Sequence, residues 1–171
     1  YGVNAGTFGG NETFMAVEFS SPFPDTIGGV MMYYLPQDFD ARKQKVELRV
    51  WNSLRPTNLL FKKEMTLNPI YGKQGGVITY FFDSLIEVGT TFYVGLRSLG
   101  KTSLNIGYDL NTNSKDKISW SLDGANWSFP NTGIPDGSLM LRPIFRKRNF
   151  GVGMNEILKK DANQISLYPQ P

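Results

Sequence analysis

The octapeptide Lys45-Val46-Glu47-Leu48-Arg49-Val50-Trp51-Asn52, KVELRVWN, alternates charged and apolar side chains from Lys45 to Val50. At the two-residue period of a strand, Val46, Leu48 and Val50 share one face, and Lys45, Glu47, Arg49 and Trp51 share the other. On a helix the same three aliphatic residues would fall on opposite sides of the cylinder and build no stripe. The stretch therefore reads as a strand packed on one side and wet on the other, which belongs to an antiparallel sheet with one covered face.

Segments of the same kind recur in both directions. In TFMAVEF (13–19) the period puts Met15, Val17 and Phe19 on one face, and GVMMYYL (29–35) is apolar on both faces, as a central strand would be. Further strand-like runs cover 59–67, 77–83, 91–97, 105–109, 118–122 and 138–145. Between them lie SSPFPD, LRPTN, NPIYGKQGG, NTNSKDK and FPNTGIPDG, built from residues that accept turn dihedrals. About nine short strands with no ten-residue helical pattern predict an all-β fold. The expected architecture is a two-sheet antiparallel β-sandwich with jelly-roll wiring, its strand order left open. Pro143 lacks a ladder donor, so the last run must lie at an edge there or bulge.

Composition narrows the chemistry. The 171 residues are 40% hydrophobic and 13% aromatic, enough for one sizeable core. Eighteen basic and fifteen acidic residues leave a net charge of +3, too even for a phosphate-tracking protein, so no nucleic-acid partner is expected. Cysteine and histidine are both absent. That removes disulfides, thiolate metal sites, imidazole bases and the usual nucleophile pairs. Paired carboxylates would be the remaining catalytic route, but Asp83, Glu87, Asp109, Asp116 and Asp123 show no spacing that picks out an acid and a base. A non-enzymatic role is expected. No run approaches the roughly 20 apolar residues of a membrane helix, and no membrane insertion is expected.

The chain opens at Tyr1 without a leader pattern and closes as a fresh strand-like stretch begins, so both ends read as cuts from a longer protein. The expected division is an N-terminal segment over 1–12, a β-sandwich module over 13–149, a linker over 150–162, and the start of another domain over 163–171.

The closing residues Ile165-Ser166-Leu167-Tyr168-Pro169-Gln170-Pro171 resemble the opening of the C-terminal sorting domain of Bacteroidetes secreted proteins, with Gln170 where asparagine is usual. The body resembles the β-sandwich modules that precede that sorting domain. The likeness rests on Pro24-Asp25-Thr26-Ile27-Gly28-Gly29-Val30, Leu48-Arg49-Val50-Trp51, Phe92-Tyr93-Val94-Gly95, Asp123-Gly124-Ala125-Asn126-Trp127 and Gly137 to Pro143. It implies export by the type IX route and a life secreted or at the cell surface. The partners it implies are neighbouring domains of the same polypeptide. It implies no particular activity.

Four constellations remain. Trp51 sits on the wetter face of its strand, and Tyr93 and Arg97 share the face opposite Phe92, Val94 and Leu96. A sugar needs a flat ring beneath its CH face and side chains that take its hydroxyls. Trp51, Tyr93 and Arg97 are therefore the candidate contacts for a polysaccharide, against the alternative that a loop or a neighbouring domain covers them. Asp109, Asn111 and Asn113 have the alternating oxygen spacing of a calcium loop, but Ser114 and Trp120 stand where an EF-hand wants Gly and Glu. A structural calcium and a self-bonded polar turn both fit. SLDGANW (121–127) is similar to an Asp-box hairpin one residue short, in which Ser and Asp stitch the turn and Trp packs beneath; Trp120, by parity with Ile118, is expected in the core. Arg146-Lys147-Arg148 reads as a solvated linker start.

Overall fold

The computed structural model describes residues 3–8, 13–35, 45–66, 75–99, 104–129 and 134–146. They form eleven strands and one short 3-10 turn. The strands are β1 (Val3–Phe8), β2 (Phe14–Ser20), β3 (Asp25–Tyr34), β4 (Lys45–Leu54), β5 (Thr57–Thr66) and β6 (Gly76–Val88). They continue as β7 (Thr91–Ser98), β8 (Leu104–Asp109), β9 (Ile118–Ser121), β10 (Ser138–Leu139) and β11 (Leu141–Phe145).

The first eight strands pair as nested hairpins: β4 with β5, β3 with β6, β2 with β7, and β1 with β8, all antiparallel. Winding one long antiparallel ribbon over on itself produces this pairing, and its two halves become the two sheets of a jelly roll. One sheet runs β5-β4-β7-β2 and the other holds β1, β8, β3 and β6. The remaining strands are additions. β9 joins the free edge of β2, and β10 and β11 flank Met140 in a run that pairs first with β8 and then with β3. The two-sheet sandwich is as expected. The sandwich also takes in Val3–Phe8, which the expected division had set ahead of a module starting at Thr13.

The interior follows the period of two. Val46, Leu48 and Val50 from β4 are fully buried, facing Ile27, Val30, Met32 and Tyr34 from β3 across one core. Burying each such aliphatic side chain stabilises the fold by about 1.5–3 kcal/mol. β3 is central in its sheet, between β6 and β11, with Val30, Met32 and Tyr34 facing the core and Met31 and Tyr33 half-buried on the outer face. β11 pairs only with β3, so Pro143 lies on an edge where its missing donor costs no ladder bond. Between Ile27 and Gly29 the β3–β6 register jumps, and residues 82–85 of β6 arch outward. The arch carries Phe82 to within 4.5 Å of the Phe61 ring and Asp83 to 2.7 Å from Lys63, closing the sandwich beside β5.

Candidate functional site

The outer face of the β5-β4-β7-β2-β9 sheet carries the three candidate sugar contacts and does bring them together. Trp51 stands opposite Tyr93 in the β4–β7 register, and Arg97, two rows away, stands between Glu47 and Phe14. Gly95 lies between Tyr93 and Arg97 on this face. A side chain there would run into the Met15 carbonyl oxygen and the Ala16 backbone, so the close β2–β7 approach requires glycine. The gap lets Arg49 reach across from β4, and both Arg49 and Arg97 stand over the Phe14 ring, at 4.8 and 5.4 Å. Arg49 also pairs with Glu47, both side chains being largely buried.

Trp51, a candidate contact on the wetter face, is fully buried, in line with the alternative that a loop covers it. Residues 121–129 cross the sheet as a strap and close over it. Trp127, only 4% exposed, meets Trp51 edge-on at 5.3 Å and Phe14 at 6.3 Å. Phe14, Ala16, Trp51, Leu54 and Trp127 form a second small core on this face, with Tyr93 packed against it. Tyr93 donates its hydroxyl to Glu18 at 2.9 Å; burial first, and then Glu18, push its pKa up. Trp51 therefore offers no ring to a sugar, and Tyr93 is half-buried against this second core. The physical reason is ordinary: an indole on a sheet face gains more from an apolar cover than from water.

The strap is held by its own sequence. The Ser121 hydroxyl donates to Asp123 at 2.9 Å and accepts the Gly124 N–H at 2.9 Å. Asp123 accepts the N–H groups of Ala125 and Asn126, each at 2.8 Å, and the Asn126 amide at 2.7 Å. These donors, the Asn126 N–H foremost, hold the Asp123 carboxyl well below the usual range. Gly124 turns the chain at φ +75, a conformation that glycine adopts without strain. Trp120 and Ser128 exchange backbone bonds at 2.9 and 2.8 Å to close the hairpin. At the far end the Trp127 indole donates to Thr57 at 3.3 Å, and Arg55 donates to the Trp127 carbonyl while standing over Phe129 at 4.7 Å. The Asp-box-like hairpin is thus a clamp between β9 and the β4–β5 turn. Trp120, expected in the core, is 44% exposed, because β9 is the edge strand of its sheet.

The Asp109 loop is stitched in the same manner. Asp109 accepts the Asn111 N–H at 2.9 Å, the Asn111 amide at 2.7 Å and the Thr112 hydroxyl at 2.8 Å. These bonds, the Asn111 N–H first, lower its carboxyl pKa. Asn113 turns its oxygen to the N–H groups of Lys115 and Gly137, at 3.2 and 3.3 Å. The oxygens that a calcium ion would need each answer a donor of the loop itself, and Asn111 presents its amide nitrogen to Asp109 rather than an oxygen. Among the described residues no group of three or more acidic side chains is placed to hold a metal. Asp83 is paired with Lys63, and Asp109 and Asp123 are each bound into a turn.

One cleft had no signal in the sequence. It has a volume of about 290 Å³ and opens between the sheets where β2 runs past the last residue that β9 pairs, Val17. Glu18, Phe19 and Ser20 form one wall, Ser138 to Arg142 the other, and Asp109, Thr112, Ser114 and Lys117 lie around it. Three separate segments supply it, so no local motif announces it.

No protein-family model, curated protein or solved structure matches this chain.

Proposed function

We propose that the chain is a non-catalytic accessory module of a larger secreted or cell-surface protein, an interaction or spacer domain that seats a neighbouring domain of the same polypeptide. The observation that carries this reading is the outer face of the sheet built on β3 and β6. There Tyr33 lies opposite Val77, Met31 opposite Thr79, and Gly29 opposite Phe81, with Ile144 beyond Gly29. Phe81 is 68% and Val77 55% exposed, and Leu85 extends the surface past the arch. Met31, Tyr33, Val77, Met140 and Arg142 line a hollow of about 180 Å³ in this face. A cluster of exposed apolar side chains on one sheet face marks a contact surface more often than a finished exterior. The resemblance of residues 165–171 to a sorting-domain opening supports export; those residues lie outside the described ones.

The absence of cysteine gives a direct test. A Phe81→Cys variant places one thiol of this chain on the proposed contact face. Maleimide labelling should be fast in the isolated chain and about tenfold or more slower in the longer polypeptide. Equal rates in the two would remove the docking face. A second reading, carbohydrate binding, no longer rests on Trp51 but keeps one observation in its favour, the cleft between the sheets.

A further inference from the structure

The cleft's hydrogen-bonding groups define what it can hold. The Ser114 hydroxyl donates to Ser138 at 2.8 Å, Ser138 donates to the Thr112 carbonyl at 3.0 Å, and Thr112 donates to Asp109. The hydroxyl hydrogens of Thr112, Ser114 and Ser138 are committed, while oxygen lone pairs on Thr112 and Ser114 stay open as acceptors. The Glu18 carboxylate takes the Tyr93 hydroxyl on the outer face of its sheet and adds no acceptor to the cleft. Donors come from elsewhere. β7 takes the main-chain groups of alternate β2 residues, as Ser98 N–H to Thr13 and Ser21 N–H to Thr90 show. Those of Ser20 therefore point to the opposite edge, beyond the Val17–Ile118 pair where the β9 ladder ends. Lys117 and Arg142 supply cationic donors at the two rims.

Asp109 offsets one of the two rim cations, and the groups that line the cleft between them are uncharged. What it offers is a dense alternation of donors and acceptors beside the apolar side chains of Phe19, Leu139 and Met140. An aliphatic hydroxyl both donates and accepts, and only a ligand with several of them would answer both sets at once. A volume of about 290 Å³ lies at the small end of ligand pockets, suited to a single ring rather than an extended molecule. We propose that this cleft binds one neutral, polyhydroxylated ring, a pyranose unit of an uncharged polysaccharide, its CH face against Phe19 and Leu139. The proposal rests on the carbohydrate reading, and Met140 and Arg142 line both this cleft and the hollow of the docking face.

The test is calorimetric titration of the full chain with neutral gluco-, xylo- and manno-oligosaccharides, with oligogalacturonate and sodium sulfate alongside. One neutral series should bind, and the Lys117→Leu, Arg142→Leu double variant should weaken it about tenfold or more with an unchanged melting curve. Trp120→Ala should leave the affinity as it was, since the exposed indole lies outside the cleft. Silence across all neutral sugars would overturn the carbohydrate reading itself. Binding that ignores the double variant but falls with Trp120→Ala would keep that reading and overturn the cleft. Preference for oligogalacturonate or sulfate would overturn the neutral-ring assignment.

Discussion

Removing the indole of Trp127 tests whether the strap is a structural cover. In Trp127→Ala the second core loses its lid: the edge-on contact with Trp51, the contact with Phe14 and the bond to Thr57 all go. Truncating a buried Trp typically costs about 3–5 kcal/mol, the lower end applying where neighbours can collapse into the gap. The strap lies at the surface and is free to settle onto Trp51, so a loss of about 3 kcal/mol is expected. For a chain of this length that lowers the melting temperature by roughly 6–12 °C. A second signal separates uncovering from general weakening. In a Trp120→Phe background, Trp51 is the only indole left in the variant, and acrylamide should quench it well below the melting point, where the parent's buried pair is shielded. If the alanine variant does not fold, Trp127→Phe keeps most of the apolar area and should cost about 1–2 kcal/mol. A loss below about 1 kcal/mol in Trp127→Ala, with Trp51 still shielded, would refute the reasoning.

Other outcomes follow from the same geometry. Gly95→Ala drives a methyl group into the Met15 carbonyl and must part β2 from β7. It should cost about 3 kcal/mol or more in urea unfolding, and near-parent stability would contradict the close approach. Asp123 has a depressed folded pKa, so the unfolded chain takes up its proton first as pH falls. Its stabilisation is complete above about pH 4 and lost as the pH drops through the folded value; Asp109 acts in the same sense. Asp123→Asn should flatten the acid limb of the stability curve, and an unaltered limb would sink the assignment. With the Asp109 and Asn113 oxygens bound within their loop, millimolar calcium should leave the melting temperature unchanged. A clear upward shift would restore the calcium loop. Deleting residues 1–12 removes β1, strips the outer edge of β8 and should destabilise the chain, whereas a neutral truncation would favour a module starting at Thr13.

Period-two patterning reported the side of a strand faithfully and its depth poorly. It placed Val46, Leu48 and Val50 inward and Trp51 outward, and both placements hold. Whether an outward residue meets water depends on what crosses the sheet afterwards. Trp51 is sealed by a strap that begins some seventy residues later in the chain, a contact no local window contains. The error at Trp120 is the converse: Ile118 and Trp120 share a parity, but β9 is an edge strand, and there the inward direction no longer guarantees cover. The self-stitching loops were legible because their bonds are local. Ser121 to Asn126 and Asp109 to Asn113 satisfy one another within a few residues. The cleft was not, since its walls come from segments more than a hundred residues apart.

The nested pairing of β1 to β8 also explains where the unusual features lie. An eight-strand roll leaves free edges where the ribbon ends, and a free edge invites either aggregation or a covering addition. Here β9 covers part of the β2 edge, and the chain then turns back as the strap that buries Trp51. The β10–β11 run enters beside β8 and passes to β3, which spreads the two strands and leaves them meeting directly only at Tyr34 and Ile106. Because β9 stops at Val17, the two additions do not meet, and the cleft is the space between them. Strap and cleft are therefore products of the appended strands rather than of the roll. A roll of this kind without β9 to β11 should expose an indole at position 51 and have no cleft. Deleting residues 134–146 should remove the binding wall together with the edge pairing of β3, and sugar binding that survived that deletion would show that the cleft is not the site.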